Sequence, residues 1–234
     1  MIKIWQGIRA LAFYIGLIIL VLLMTLSLCL IGFLPFRYRQ LCVTFGNRLL
    51  MLWLRITCGV KIKLEGLGNI PKNACVVVSN HQSTWETFFL QHLFVPASVI
   101  LKRELLWIPL FGWGLYFMRA IAIKRSNPAG AIRQVLKQGK QRLSAGINVV
   151  IFPEGTRIRT SEVGNFMTSG AALAKSAGVP ILPVRHNAGL CWPADSWLKT
   201  PGTITLAIGP PIDTSEGNPR ELTEQARQWI ANAL

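Results

Sequence analysis

His81 and Glu86, five residues apart, are the pair in this sequence best fitted to move a proton. An imidazole with an ordinary pKa of about 6.5 can take a hydroxyl proton near neutral pH. A carboxylate on its other ring nitrogen fixes the tautomer and stabilises the imidazolium that forms. Within one continuous helix, positions i and i+5 diverge by roughly 140°. The pairing therefore requires His81 just ahead of a first helical turn that carries Glu86 back toward it. The flanking residues predict that arrangement: 74–79 is an apolar run that reads as a buried strand, Asn80-His81-Gln82-Ser83 breaks it, and 84–94 reads as a helix. Loops at the C-terminal ends of strands are where α/β folds build sites. Taken alone, the spacing suits an ordinary hydrogen-bonded loop histidine equally well.

A second group follows the apolar run 147–152. In Pro153-Glu154-Gly155-Thr156-Arg157, Gly155 lets the backbone approach a ligand, Thr156 offers a hydroxyl, and Arg157 presents a planar fork for two phosphate oxygens. Glu154 is placed to tether the loop or a ligand's glycerol. The alternative is a strand-turn whose arginine makes a structural ion pair. Lys102 and Arg103, at the end of another apolar run, add two cations. His186 has no carboxylate nearby in sequence and His92 sits in an apolar helical stretch, so both read as structural. The three histidines and the scattered Cys29, Cys42, Cys58, Cys75 and Cys191 give no zinc spacing and no C-x-x-C pair, so reduced thiols and no metal are expected.

These groups need a scaffold, and the pattern after residue 59 supplies one. Short β-rich runs at 60–64, 74–79, 98–102, 120–124, 147–152, 181–184 and 203–208 alternate with helical stretches, among them the amphipathic 129–144 and a closing helix at 220–234. Their apolar centres suggest strands buried on both faces. The expected fold class is α/β: a mixed, largely parallel sheet flanked by helices, over residues 59–234, preceded at 1–58 by a membrane-anchoring helical segment.

The anchor rests on 27 uncharged residues, 10–36, between Arg9 and Arg37, where about 20 suffice to cross a bilayer core. No small-residue cleavage site follows, so the segment is expected to stay. Six cations from Arg37 to Lys63 against Lys3 and Arg9 place the C-terminal side in the cytoplasm, at the inner membrane. Gly16, Gly32 and Pro35 equally permit a re-entrant pair of helices confined to one leaflet. Leu41, Phe45, Leu49, Leu52 and Ile56 form an apolar stripe that suits an interfacial or a core helix. A net charge of +15 beside 51% hydrophobic residues points to an anionic membrane surface rather than nucleic acid.

The string from Asn80 to Glu86 resembles the first motif of the glycerolipid acyltransferase family, the bacterial 1-acylglycerol-3-phosphate acyltransferases, written N-H-x4-D, with Glu86 where the family has Asp. Phe152 to Arg157 resembles its F-P-E-G-T-R motif residue for residue. Lys102 to Gly112 looks like the second motif, and Val179-Pro180-Ile181-Leu182-Pro183-Val184 resembles the fourth. Met167 stands where relatives carry the Lys of F-K-x-G, and Lys124-Arg125 where they carry Asp-Arg, a cationic end that could still serve phosphate. The likeness spans about residues 60–211. It implies His81 as general base, oriented by Glu86, with Lys102, Arg103, Glu154, Gly155, Thr156 and Arg157 holding the substrate. The implied reaction moves a fatty acyl group from acyl-CoA or acyl carrier protein to the sn-2 hydroxyl of 1-acylglycerol-3-phosphate, giving phosphatidic acid without cofactor or covalent enzyme intermediate. Its partners would be a lysophospholipid, an acyl thioester and membrane lipid. Two rivals accompany it: acylation of another lyso-lipid such as lyso-ornithine lipid, and a non-catalytic basic protein that gathers anionic lipids.

Overall fold

A computed structural model describes residues 2–158 and 163–234 of the chain. Two long helices, α1 (Ile2–Ile31) and α2 (Phe36–Cys58), form a hairpin and lead into β1 (Val60–Glu65). There follow β2 (Val76–Ser79), α3 (Trp85–Leu93), β3 (Ala97–Lys102), α4 (Phe111–Phe117), β4 (Ile121–Ile123), α5 (Pro128–Ser144) and β5 (Asn148–Ile151). The chain closes with α6 (Ser169–Ala177), β6 (Ile181–His186), α7 (Ala188–Cys191), β7 (Gly202–Ile208) and α8 (Pro219–Asn232). All seven expected strands and the three expected helices lie within a few residues of their predicted places.

The seven strands run in the order β1-β7-β6-β2-β5-β3-β4, every pair parallel except β6 with β7. Period-two alternation splits the apolar runs between the two faces of the sheet. Val77, Val150, Leu182 and Val184 meet Leu50 and Leu54 of α2 and Trp85 and Phe89 of α3. Val76, Val78, Val149 and Ile181 meet Val135 of α5, Leu173 of α6 and Ile230 of α8. Both faces are covered, which is why the strands read as unbroken hydrophobic runs. Burying each such side chain contributes about 1.5–3 kcal/mol.

The α2 helix turns its apolar stripe outward. Leu41, Phe45, Leu52 and Ile56 are exposed, while Gln40, Val43, Asn47, Leu50 and Leu54 face the domain. Both buried polar side chains are anchored to the domain: Gln40 Nε2 donates to the Ala97 carbonyl at 2.9 Å and Asn47 Nδ2 to that of Phe88, also at 2.9 Å. Two apolar faces therefore share one helix, one for the core and one for the surroundings. Trp107, Trp113 and Tyr116, in the segment before and within α4, are also exposed.

Because β4, β3, β5, β2 and β6 run the same way, their C-terminal ends share one edge of the sheet. Lys102 ends β3, His81 lies two residues past β2, Arg125 two past β4, and Glu154 three past β5. Topology alone brings these four residues together.

Candidate active site

The His81 loop is pinned from three sides. Asn80 Nδ2 donates to the His186 carbonyl while the His186 N–H donates to Asn80 Oδ1, each at 3.0 Å, which locks the end of β2 to β6. The His81 N–H donates to Glu154 Oε2 at 2.7 Å, and the Ile158 N–H donates to the His81 carbonyl at 2.8 Å. Its ring stacks on Phe152, centroids 4.4 Å apart and planes inclined by 19°. Backbone and ring are both fixed before any substrate arrives.

Glu86 stands in the first turn of α3 and reaches back as the spacing required. Its Oε1 lies 2.8 Å from His81 Nδ1 and also accepts the N–H groups of Gln82 at 2.9 Å and Ser83 at 2.7 Å. The extra methylene of Glu relative to Asp is absorbed by this first-turn geometry. Burial alone pushes the fully buried Glu86 carboxyl up. The His186 ring 4.0 Å from Oε2, the His81 hydrogen bond and the Ser83 N–H together outweigh it and hold the acid below its ordinary value. The His186 imidazole is drawn below its ordinary value by burial. Its Nε2–H donates to the Asn80 carbonyl at 2.9 Å and its Nδ1 accepts from the Ala188 N–H at 3.3 Å. His186 is thus a structural hydrogen-bonding residue. With Nδ1 of His81 donating to Glu86, Nε2 is the basic nitrogen left for chemistry.

His81 opens onto a cavity of about 990 Å³, at the upper end of the roughly 300–1,000 Å³ usual for small-molecule sites. Around His81 the wall is polar and cationic: Lys102, Arg125, Glu154, Thr156 and Arg157 line it. The rest of the lining is largely apolar, with Val21, Met24 and Leu28 of α1, Val43 of α2, Leu115 of α4 and Met118 just past it. Gly155 takes the turn after Phe152 at φ 70°, a conformation that favours glycine. Arg157 is exposed, its Nε donating to the Ser83 carbonyl at 3.2 Å, so the terminal nitrogens point free of that bond. The Gly155 N–H is taken by the Phe152 carbonyl at 3.1 Å and is not available to an oxyanion.

The structure brings His81, Glu86, Lys102, Glu154, Gly155, Thr156 and Arg157 into one locality. Arg103 is not brought in: it opens a short 3₁₀ turn, is exposed and does not line the cavity. Arg125, from the neighbouring edge strand, lines it instead. Sequence reading gave the cationic end of β4 only a possible phosphate role and did not reveal Phe152 as the ring's stacking partner. Arg185 was likewise unmarked; it is buried at the end of β6, with Nε and Nη1 unpartnered, and its charge opposes the rise that burial imposes on Glu154.

Glu154 works as a strap, accepting the His81 N–H on one oxygen and the Gly164 N–H on the other at 3.1 Å. Glu154→Ala leaves both donors without their acceptor, at about 1–3 kcal/mol for each that stays dry. The expected outcome is a melting temperature lowered by several degrees with turnover reduced alongside it, checked by thermal unfolding and initial rates on the same preparation. A variant with unchanged melting and turnover would show the strap to be idle.

Residues 61–187 match the profile of a family described as Acyltransferase. The chain is 45% identical to the 1-acyl-sn-glycerol-3-phosphate acyltransferase of Pseudomonas aeruginosa over 98% of its own length and 91% of that protein. It is 30% identical to a chloroplastic 1-acyl-sn-glycerol-3-phosphate acyltransferase of Brassica napus, over 85% of this chain and 58% of the longer plant protein. The crystal structure of the 1-acyl-sn-glycerophosphate acyltransferase PlsC from Thermotoga maritima superposes with a TM-score of 0.85 at 25% identity, covering 100% of this chain and 96% of that one. With the His81–Glu86 pair, the Pro153–Arg157 turn and the sheet that joins them all in place, this chain belongs to the acyltransferase family.

Proposed function

We propose that the enzyme transfers a fatty acyl group from an acyl thioester to the sn-2 hydroxyl of 1-acylglycerol-3-phosphate, giving phosphatidic acid for phospholipid synthesis. The observation that carries this reading is the mixed lining of one cavity: a histidine paired with a carboxylate, three cations at the C-terminal strand ends, and apolar side chains of α1, α2 and α4. The cations suit a phosphate monoester and the apolar lining suits an acyl chain. Both acyl-CoA and acyl carrier protein are anionic donors compatible with a chain of net charge +15.

In the proposed reaction, Arg157 with Lys102 and Arg125 holds the acceptor phosphate so that its hydroxyl faces His81 Nε2. That nitrogen takes the hydroxyl proton as the oxygen attacks the thioester carbonyl, and Glu86 stabilises the imidazolium. The tetrahedral intermediate collapses by breaking the carbon–sulfur bond, and His81 returns the proton to the departing thiolate. Protons and charge balance without a cofactor.

The hairpin supports attachment along one leaflet, the second of the two arrangements the sequence allows. Near its open end, Phe13 packs edge-on against Trp192 at 4.9 Å and Tyr14 receives a hydrogen bond from Lys199 at 2.8 Å. Near its tip, Phe117 of α4 lies against Gly32 and Arg119 lies over the Phe36 ring. Between those contacts α1 runs about 28 Å beside the domain, nearly the thickness of a bilayer's hydrocarbon core. Spanning would carry a polar domain into the membrane. Lying flat leaves the exposed faces of both helices in lipid, with the catalytic domain on the cytoplasmic side of the inner membrane.

The test is an assay of the purified chain in detergent with acyl-CoA or acyl carrier protein, offering lysophosphatidic acid and a phosphate-free lyso-lipid such as lyso-ornithine lipid. Phosphatidic acid is the expected product, and equal use of the phosphate-free acceptor would overturn the acceptor assignment. In the same assay Arg157→Ala should raise KM for lysophosphatidic acid much more than it lowers kcat, because it removes a hold on the phosphate rather than a group at the reacting atoms. An unchanged KM would remove Arg157 from the phosphate site.

A further inference from the structure

A second cationic site lies outside the cavity. At the tip of the hairpin, the guanidinium carbons of Arg39 and Arg119 stand 5.5 and 5.0 Å from the centre of the Phe36 ring. Arg142 reaches the same place from α5, its Nε donating to the Arg119 carbonyl at 3.2 Å. Three features set this cluster apart from ordinary surface charge.

First, it is built. Arg119 is one of two described non-glycine residues with positive φ, at 55°. Its carbonyl is held there by two donors, Ser98 Oγ at 2.6 Å and Arg142 Nε. A non-glycine residue persists in that conformation where its surroundings over-determine it. Arg39 Nε is buried and has no hydrogen-bond partner.

Second, it is uncompensated. No Asp or Glu occurs between Met1 and Leu64, or between Leu105 and Pro153, the stretches that supply all three arginines. None of the ion pairs among the described residues includes them. The Arg142 guanidinium is held below its ordinary value by burial and then by Arg119. Like charges gathered without a counter-charge repel one another, and an anion that two or three guanidinium forks can grip relieves the repulsion.

Third, it sits at a depth that selects the anion's source. Phe33 is 84% exposed, Tyr116 74% and Tyr38 42%, and these rings adjoin the cluster in sequence or on α4. Aromatic rings of this kind gather at headgroup level, where basic pockets meet lipid phosphates. None of the three arginines lines the His81 cavity.

We propose that Arg39, Arg119 and Arg142 bind the phosphate of an anionic membrane phospholipid that is held rather than reacted, at a site distinct from the catalytic cavity. The bound lipid seats the hairpin tip and α4 at headgroup depth. This goes beyond the acyl-transfer reading and is tested by binding, so failure of one leaves the other standing.

The experiment is flotation of the purified full-length chain with vesicles of phosphatidylcholine alone or mixed with phosphatidylglycerol. Wild type should bind the mixed vesicles more tightly. The variant Arg119→Gln/Arg142→Gln should lose on the order of 10- to 30-fold in affinity for mixed vesicles, from roughly 5-fold per cation, while binding to phosphatidylcholine persists through the hairpin. The charge-matched control Lys137→Gln/Lys140→Gln, on the exposed face of α5, should lose clearly less. An equal loss in the control would reduce the site to diffuse charge and overturn the proposal. So would inorganic phosphate raising the wild-type melting temperature in detergent while the two vesicle types bind alike, which would make the ligand free phosphate. If the double variant does not fold, Arg39→Gln alone gives the same reading: a loss confined to mixed vesicles supports the site, and no loss overturns it.

Discussion

His81→Ala lowers turnover by about 10²- to 10⁴-fold, the range that general-base catalysis supplies, and leaves folding and membrane attachment intact. The expectation follows from what the side chain does and does not hold. Its backbone, not its ring, is strapped to Glu154 and Ile158, so truncation at Cβ spares the hydrogen bonds that fix the loop. The ring contributes its stack on Phe152 and its bond to Glu86, both at the cavity wall. The proposed acceptor contacts of Arg157, Lys102 and Arg125 are untouched, so KM should move little while kcat collapses. Steady-state rates on lysophosphatidic acid, with flotation and a thermal melt as controls, check this. Near-normal turnover in a folded variant would remove His81 as the base.

The legible part of this site was contiguous in sequence. Asn80 to Glu86 and Phe152 to Arg157 each carry their chemistry within a few residues of a strand end, and a parallel sheet places such ends on one edge without further instruction. The pairing of His81 with Glu86 could be reasoned from helix geometry because only one turn separates them. The parts that escaped depend on distance along the chain. The reciprocal bonds of Asn80 with His186 join positions 106 residues apart, and the same contact brings His186 to 4.0 Å from Glu86. No local pattern encodes it. Arg103 and Arg125 illustrate the same limit: adjacency to Lys102 favoured the first, but the chain turns into a 3₁₀ segment there, and the edge strand beside it delivers the second.

For the α2 helix the sequence left open which of two readings of its apolar stripe holds, interfacial or core. Hydrophobic periodicity identifies an apolar face but not what covers it. Leu41, Phe45, Leu52 and Ile56 face outward, whereas the domain-facing side includes Gln40 and Asn47, which a sequence pattern assigns to solvent. Their backbone partners at Ala97 and Phe88 are supplied only by the fold. The same ambiguity left the anchor's path open, since a spanning helix and one lying in a leaflet have the same composition.

Glu86 sets the second large effect, and its variants separate reach from charge. Glu86→Ala removes the acceptor for His81 Nδ1–H and for the N–H groups of Gln82 and Ser83. The ring loses both its tautomer control and the stabilisation of its protonated form. In the best-known imidazole–carboxylate pair, disabling the acid cost about 10⁴-fold, and a loss of that order is expected here. Stability falls as well, by about 1–3 kcal/mol for each backbone donor left dry. Glu86→Gln should be milder, on the order of 10²-fold. Oε1 is pinned by two backbone N–H groups, which select the amide oxygen over the amide nitrogen for that position and so preserve the Nδ1–H tautomer. Only the charge is lost. The sign of the pH dependence follows from the depressed carboxyl: the wild-type contribution to stability is complete above the unfolded value of about 4.5 and is lost as pH falls through the lower folded value. Glu86→Gln should therefore flatten the acid limb of the stability profile. Glu86→Asp keeps the charge but withdraws it by about 1.5 Å, and a misplacement near 1 Å can cost about 10²-fold. Turnover in the order wild type, Gln, Ala supports this account. A Gln variant as slow as Ala would mean that the amide has flipped and presents its nitrogen to His81, and an Asp variant equal to wild type would mean that the loop closes the gap and the 2.8 Å contact is not set by side-chain length.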